Sequence, residues 1–232
     1  MSERFFLSSP PRAGRATLTG DEARHLARVL RAEVGDDVSV FDGSGLEWPA
    51  RVLAIGRDAV DLAVGEPSSA GPRTAPTLTL AVALPKGERQ KWLVEKLTEL
   101  SVARLVPLVT TRGVAEATPS AVERLRRGVI EACKQCGRAT LMAIGEPRSI
   151  ADLLRERDAE PRLLVADPGG GPLDTSAPAV MGRTVLGFVG PEGGFTAEEL
   201  ALLAAAGAER IGLGPHVLRV ETAAIALAAR LA

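Results

Sequence analysis

The sequence predicts an α/β protein preceded by a smaller β-rich domain. From residue 77 onward, strand-like runs alternate with helical stretches. Those runs are apolar throughout, as strands buried on both faces of a parallel sheet must be. Ahead of them, short strands and turn signals crowd residues 4–64. The stretch "GEPSSAGPRTAP" (65–76), rich in Pro, Gly and Ser, separates the two parts as a linker. The expected domains are therefore 1–73 and 74–232, and 232 residues suffice to give each a core.

In order, "RFFL" (4–7) reads as a short strand. "GDEARHLARVLRAEVGDD" (20–37) reads as a helix ended by Gly35. "VSVF" and "LEWPARVLAI" flank "DGSG" (42–45), a strong hairpin turn, and "AVDLAV" (59–64) adds a strand after "GRD". In the second part, "TLTLAVAL" (77–84) is a continuous β-type run, followed by the amphipathic helix "GERQKWLVEKLTEL" (87–100). "ARLVPLV" (103–109) is a strand, and "PSAVERLRRGVIEACKQCG" (119–137) a helix stopped by glycine. "PRLLVAD" (161–167), "RTVLGFVG" (183–190) and "ERIGLG" (209–214) are further strands, with helices at about 196–206 and 221–231. Thr196 followed by Glu199 has the spacing of a capping box.

The apolar fraction of 46% and charged fraction of 25% are those of an ordinary globular protein. No apolar run reaches the length of a membrane span, and "MSERFFLSSPPRAGRATL" lacks the core of a signal peptide. A cytoplasmic protein with no membrane partner is expected. Net charge is −1, which argues against a generic polyanion binder. Residues 1–73 net −2, residues 74–150 net +5 and residues 151–232 net −4. The basic middle either meets an anionic partner or is a solvated surface. Cys133 and Cys136 form C-x-x-C within a predicted helix. A zinc site needs about four ligands, and only His25 and His216 supply imidazoles, so two small thiols and no metal are expected.

Ligands of open parallel sheets sit at the carboxyl ends of the strands. Three loops leave such ends: "ADPGGG" (166–171), "GPEGG" (190–194) and "GLGPHVLRVETA" (212–223). A phosphate loop would need Gly-Lys-Ser/Thr, which is missing, and a dinucleotide loop would need a third glycine early in the unit. Glu192 would repel a pyrophosphate. One reading is tight turns alone, with glycine supplying positive φ and Glu198 and Glu199 favouring a helix N-terminus. The other is a ligand that needs close backbone approach and carries no phosphate. An adenosine bearing a positive sulfonium is one such ligand.

"GPEGGFTAEEL" with "LGPHVLRVETAAIAL" resembles the RsmE-type 16S ribosomal RNA methyltransferases of the SPOUT superfamily. "GDEARHLARVLR", "VFDGSG", "LPKGERQKWLVEKLTELSV" and "EACKQCGR" match in the same order, over roughly residues 4 to 230. The resemblance implies a PUA-like β-barrel before an α/β methyltransferase domain knotted as a deep trefoil. It implies a homodimer that binds S-adenosyl-L-methionine. The reaction implied is methylation of N3 of one uridine in the decoding region of 16S ribosomal RNA within the 30S subunit.

Carried over by position, Val189, Gly190, Gly193 and Gly194 line one side of the cofactor pocket. Leu213, Gly214, Leu218, Arg219, Thr222 and Ala223 line the other, and Leu164, Val165 and Ala166 complete it. The implied RNA contacts are Arg4, Arg24, His25, Arg28 and Arg31 in the first domain and Lys86, Arg89 and Lys91 in the second. Arg24, Arg28 and Arg31 fall on one helical stripe with His25. That stripe is either a phosphate contact or a solvated face paired with Asp21 and Glu22. Family members often carry histidine at the Arg24 position, arginine at His216 and threonine at Val220, which puts in doubt any role for these three.

Arg219 and Glu221 are the catalytic candidates. N3 of uracil is protonated near neutrality and must lose its proton before it attacks a methyl group. A guanidinium at Arg219 would stabilise the resulting anion, whereas Glu221 either has a catalytic role beside it or serves the helix dipole as a first-turn residue. Two other functions compete: a methyltransferase of the same fold acting on another RNA base, and a PUA-type RNA-binding factor with a degenerate cofactor site.

Overall fold

The computed structural model describes residues 3–69, 77–115, 117–157, 161–174 and 184–232. The chain divides into two compact units, one of Met1–Pro72 with Cys133–Leu141, the other of Arg73–Ala132 with Met142–Ala232. The single cut expected at residue 73 therefore leaves out a returning segment. Most of the expected linker, residues 70–76, lies outside the described residues.

The first unit is built on β1 (Arg4–Phe6), β2 (Arg15–Thr19), β3 (Asp37–Phe41), β4 (Leu46–Ile55), β5 (Ala59–Val64) and β6 (Ser68–Ser69), with a helical turn α1 (Gly20–Arg24). Its sheet runs β1-β3-β4-β5-β2, with β6 on β4. All its ladders are antiparallel except β1 with β3. Alternation puts Trp48, Ala50 and Val52 of β4 into a core with Phe5, Leu18, Leu26, Val40, Val60 and Leu62. The "DGSG" turn closes the β3–β4 hairpin as expected. Asp42 accepts from the Ser44 amide at 2.9 Å, and Gly43 sits at φ +86°. A Cβ there would lie 2.6 Å from the Leu141 side chain.

The helix expected over 20–37 is shorter and irregular. α1 passes at His25–Val29 into a π-helical turn, and Arg31 has φ +55°. A bulky residue in the left-handed region cannot continue a helix. Arg31 thus leaves the helical stripe on which Arg24 and Arg28 stand.

The second unit contains β7 (Thr77–Val82), α2 (Arg89–Glu99), β8 (Arg104–Val109), α3 (Pro119–Cys136, its last turn grouped with the first unit), β9 (Ala143–Ile144), β10 (Arg148–Ser149), α4 (Ile150–Glu156), β11 (Arg162–Pro172), β12 (Thr184–Val189), α5 (Ala197–Ala205), β13 (Glu209–Gly212) and α6 (Val220–Leu231). The strand order is β10-β8-β7-β12-β11-β13, with β9 on β8, and every ladder is parallel. Both faces are covered. Ile150, Leu153 and Leu203 of α4 and α5 pack on Ala81, Val106, Val165, Leu186 and Phe188. On the other face α6 comes so close that a Cβ on Gly187 would lie 2.9 Å from Leu227 and 2.8 Å from Leu80. A strand glycine here marks close approach.

The run 166–171, expected as a loop, remains part of β11. Ala166 and Gly171 both register against Ile211, so residues 167–170 form an excursion within the strand. Gly170 is required there, since a Cβ on it would lie 2.5 Å from the Ile211 backbone, and on the facing β13 a Cβ on Gly212 would lie 2.8 Å from the Gly170 carbonyl oxygen.

Candidate functional site

The carboxyl ends of β12, β11 and β13, adjacent strands of the parallel sheet, surround a cavity of about 230 Å³. Each contributes one wall. The β11 excursion supplies Ala166, Asp167 and Pro168, and the turn after β12 supplies Val189 through Gly194. The segment after β13 supplies Leu213, Gly214, His216, Val217 and Leu218, and the first turn of α6 adds Val220 and Ala223. His216 and Val220, the two departures from the family pattern in this region, both line it.

Each wall is held in place by polar contacts. In the β11 excursion, Asp167 Oδ1 accepts from the Gly169 amide at 2.7 Å and from Arg210 Nη2 at 2.9 Å. In the β12 turn, the Gly194 amide donates to the Pro191 carbonyl at 2.8 Å, with Gly194 at φ +69°, a conformation that glycine adopts without strain. α5 then begins with the expected capping box: Glu199 N donates to Thr196 Oγ1 at 3.2 Å, and Thr196 N donates to Glu199 Oε2 at 2.8 Å. Arg230, from the last turn of α6, donates to the carbonyls of Gly212 (3.3 Å) and Leu213 (3.0 Å).

The cavity walls are mainly apolar, and among the described residues no Lys or Arg lines it. A phosphate would find no cation there. The two lining carboxylates are each already matched by an arginine, Asp167 by Arg210 and Glu192 by Arg89. Paired in this way, the two carboxylates do little to repel an anion. What favours an uncharged or cationic ligand is the missing lining cation and the apolar surface.

Of the residues expected at the cofactor site, Ala166, Val189, Gly190, Gly193, Gly194, Leu213, Gly214, Leu218 and Ala223 are brought together on the cavity. Leu164 and Val165 are not on it. They are 0% and 1% exposed inside the sheet, because a central strand points its side chains into the helical layers rather than toward its own end. Thr222 lies exposed on α6. Arg219 is the N-cap of that helix at extended φ and ψ. It is exposed, and among the described residues no carboxylate forms an ion pair with it.

Glu221 is placed differently from a group that meets substrate. It is 4% exposed, with Arg89 Nη1 3.6 Å from its Oε2. That oxygen has no hydrogen-bond partner among the described residues. Arg89 also donates to Glu192 Oε1 at 3.1 Å, so the arginine expected to touch RNA lies between two carboxylates. Arg4 departs from the same expectation. Its guanidinium makes a two-pronged pair with Glu47 at 3.1 and 2.9 Å, donates to the Cys133 carbonyl and stacks over Phe41. With its side chain only 12% exposed, Arg4 serves the first unit's own structure. Arg24, Arg28, Arg31, Lys86 and Lys91 are exposed, and His25 is half-buried with its ring edge-on to Phe5. Arg24 pairs with Asp21, one of the partners expected for a solvated face.

Asp167, Pro168, Pro191 and Val217 line the cavity without having been expected there, and Arg112 is a further residue at this edge that the sequence did not single out. From the loop after β8 it donates to the Gly193 carbonyl at 2.7 Å. The available signal was position, since it leaves a strand at the same edge of the sheet as the glycine loops. Cys133 is buried and Cys136 exposed, and no cluster of three or more His, Cys, Asp or Glu suited to a metal occurs among the described residues. Among them, no helix is long and apolar enough to cross a membrane.

Residues 73–232 match a family model described as an RNA methyltransferase domain, and residues 18–64 match an RNA methyltransferase PUA domain. The chain is 32% identical over 219 residues to the ribosomal RNA small subunit methyltransferase E of Rickettsia conorii, covering 92% of this chain and 88% of the relative. Among solved structures it is similar to a putative methyltransferase of Legionella pneumophila in complex with its bound cofactor SAM. The TM-score is 0.90 at 28% identity, over 100% of this chain and 97% of that one. It is likewise similar to ribosomal RNA small subunit methyltransferase E of Neisseria gonorrhoeae bound to S-adenosyl methionine. There the TM-score is 0.89 at 26% identity, over 99% and 96% of the two chains.

Proposed function

Because the chain belongs to the RNA methyltransferase family that includes the ribosomal RNA small subunit methyltransferase E enzymes, we propose that it uses S-adenosylmethionine to methylate N3 of one uridine in the decoding region of 16S ribosomal RNA. The observation that carries this reading is the cavity at three adjacent strand ends, two of its walls glycine loops, with no Lys or Arg lining it among the described residues. The residues suit the cofactor. Val189, Leu213, Leu218 and Ala223 offer apolar surface to an adenosine, and the glycines admit close backbone approach. Bound there, S-adenosylmethionine supplies an electrophilic methyl group.

The chain's own part is to hold the uracil as its anion. Arg219 stands at the N-cap position of the helix whose first turn lines the cavity, and among the described residues no carboxylate pairs with its guanidinium. It supplies the positive charge that steadies an anionic ring. Arg24, His25, Arg28 and Arg31, together with Lys86 and Lys91, are proposed to meet the RNA backbone. Arg4 and Arg89 do not belong to that set, because their guanidinia are matched inside their own units. We further propose that the first unit, with its returning segment Cys133–Leu141, serves as the RNA-positioning domain and the second unit as the methyltransferase domain. The C-terminal strands of the latter form a trefoil knot, and the active species is a homodimer.

Two measurements test the reading. Calorimetry should find S-adenosylmethionine binding, in competition with S-adenosylhomocysteine. Mass-spectrometric mapping of 16S ribosomal RNA from a strain lacking the gene should find one 3-methyluridine missing. Cofactor binding with an unchanged RNA map would redirect the enzyme to another base. An absence of binding would leave an RNA-binding module.

A further inference from the structure

We propose that Arg89 and Arg112 are positioning residues for the cofactor pocket: neither lines it, and each holds a residue that does. The inference rests on the cofactor reading above.

The Gly190–Gly194 wall is a poor candidate for rigidity on its own. Three of its five residues are glycine, which loses more conformational freedom on ordering than any other residue. A wall that orders only when ligand arrives subtracts that entropy from affinity. Two arginines from elsewhere in the chain fix neighbouring residues of it. Arg89, at the start of α2, donates to the Glu192 carboxylate at 3.1 Å. Arg112, in the loop after β8, donates to the Gly193 carbonyl at 2.7 Å, its side chain 3.3 Å from where a Gly193 Cβ would stand.

Arg89 does more than anchor one loop. The same Nη1 lies 3.6 Å from Glu221, in the α6 turn that presents Val220 and Ala223 to the cavity. The buried Glu221 oxygen without a hydrogen-bond partner has this guanidinium as its nearby cation, and a buried carboxylate needs one. Arg89 is thus fixed from the α6 side, and through it the β12 turn is referenced to α6. Two facing walls of the pocket share one charge. A guanidinium so matched offers little to an RNA phosphate, which is why position rather than RNA contact is the role inferred.

The test uses the full-length chain. S-adenosylmethionine affinity is measured by calorimetry, and turnover on 30S subunits is measured at saturating cofactor. The variants are Arg112→Gln and the pair Arg89→Gln with Glu221→Gln, which removes the cation together with the buried charge it matches and so preserves folding. Each should weaken cofactor binding by roughly five- to tenfold, the scale of lost preorganisation, while saturated turnover stays within about twofold of the wild type. Arg112→Lys should recover most of the affinity, because a carbonyl needs only one donor. Adding Glu192→Gln to the Arg89 and Glu221 pair should cost little further affinity, since both changes cut one tie. If the wild type binds and these variants bind equally well, the inference is overturned while the cofactor reading stands. Reduced turnover at unchanged affinity also overturns it, by making the arginines RNA contacts. A wild type that fails to bind sinks the cofactor reading and the inference with it.

Discussion

Glu199 ties Thr111 to the start of α5. One carboxylate oxygen accepts from the Thr111 amide at 2.8 Å and its hydroxyl at 3.2 Å, while the other accepts from the Thr196 amide at 2.8 Å. A residue whose spacing in sequence announces only a helix cap also joins the loop after β8 to the loop that follows β12. Glu199→Ala should therefore cost more than a surface cap. A lost cap and a lost long-range tie together should lower unfolding free energy by about 1–2 kcal/mol. Denaturant titration checks this, and a change below ~0.5 kcal/mol would show that the tie to Thr111 carries no weight.

Arg219→Ala should slow methyl transfer far more than it weakens cofactor binding. Its proposed partner, the uracil anion, arises only on the way to the transition state, and interactions made only there raise turnover. Removing one such donor costs about 2.7–4 kcal/mol, or roughly a hundred- to thousandfold in rate. Single-turnover transfer to 30S subunits, with cofactor affinity measured in parallel, separates the two. A hundredfold loss of affinity at unchanged saturated turnover would make Arg219 a cofactor residue instead.

Gly170→Ala should disturb both stability and the site. The added Cβ would meet the Ile211 backbone at 2.5 Å, and backbone cannot yield as a side-chain tip does. Relieving the clash requires β13 to shift against β11, at a cost of at least about 1–3 kcal/mol. The segment after β13 shifts with it, so cofactor affinity should fall too. An alanine variant as stable as the wild type would refute the close approach described here.

Acid should weaken the outer ladder through Arg162 and Glu209. They form a two-pronged ion pair at 2.8 and 2.7 Å between β11 and β13. The hydrogen bond from Arg162, then its charge, holds the Glu209 carboxyl below the ordinary 4.5. The folded value is thus lower than the unfolded one. The stabilisation is complete above about pH 4.5 and is lost as pH falls through the folded value. Because the Glu209 side chain is 50% exposed, solvent screening limits the effect to about 0.5–1 kcal/mol. Glu209→Gln should destabilise by that amount at pH 7, and the difference should shrink as pH falls below about 4.5. A difference that stays constant as pH falls would mean the loss is not one of charge.

The sequence exposed whatever depends on local pattern. The apolar runs announced β7, β8, β11 and β12, because a strand covered on both faces must be apolar along its length. The glycine and proline spacing after β12 and β13 marked two cavity walls. Three things were hidden, each for a different reason. Asp167, Pro168 and the glycines after them read as a loop, because nothing local says that Gly171 will rejoin β13 after the excursion. The π-helical turn before Arg31, whose Leu26 is buried in the first unit's core, leaves no signal in residue propensity. Arg112 and Arg89 act across 81 and 103 residues of chain. A polar tie of that length leaves no periodicity to read.

The return of Cys133–Leu141 to the first unit bears on the order in which the protein is made. Translation delivers Pro72 about sixty residues before Cys133. At roughly 5–20 residues per second, the remainder of the unit through Leu141 follows some 3–14 s later. Until then Glu22 lacks Lys134, its partner at 2.8 Å, the Arg4 guanidinium lacks the Cys133 carbonyl, and Leu141 has yet to reach Gly43. The unit that emerges first is completed only after β7, β8 and most of α3 have been synthesised. A nascent chain stalled before residue 133 should present that unfinished surface to chaperones and proteases.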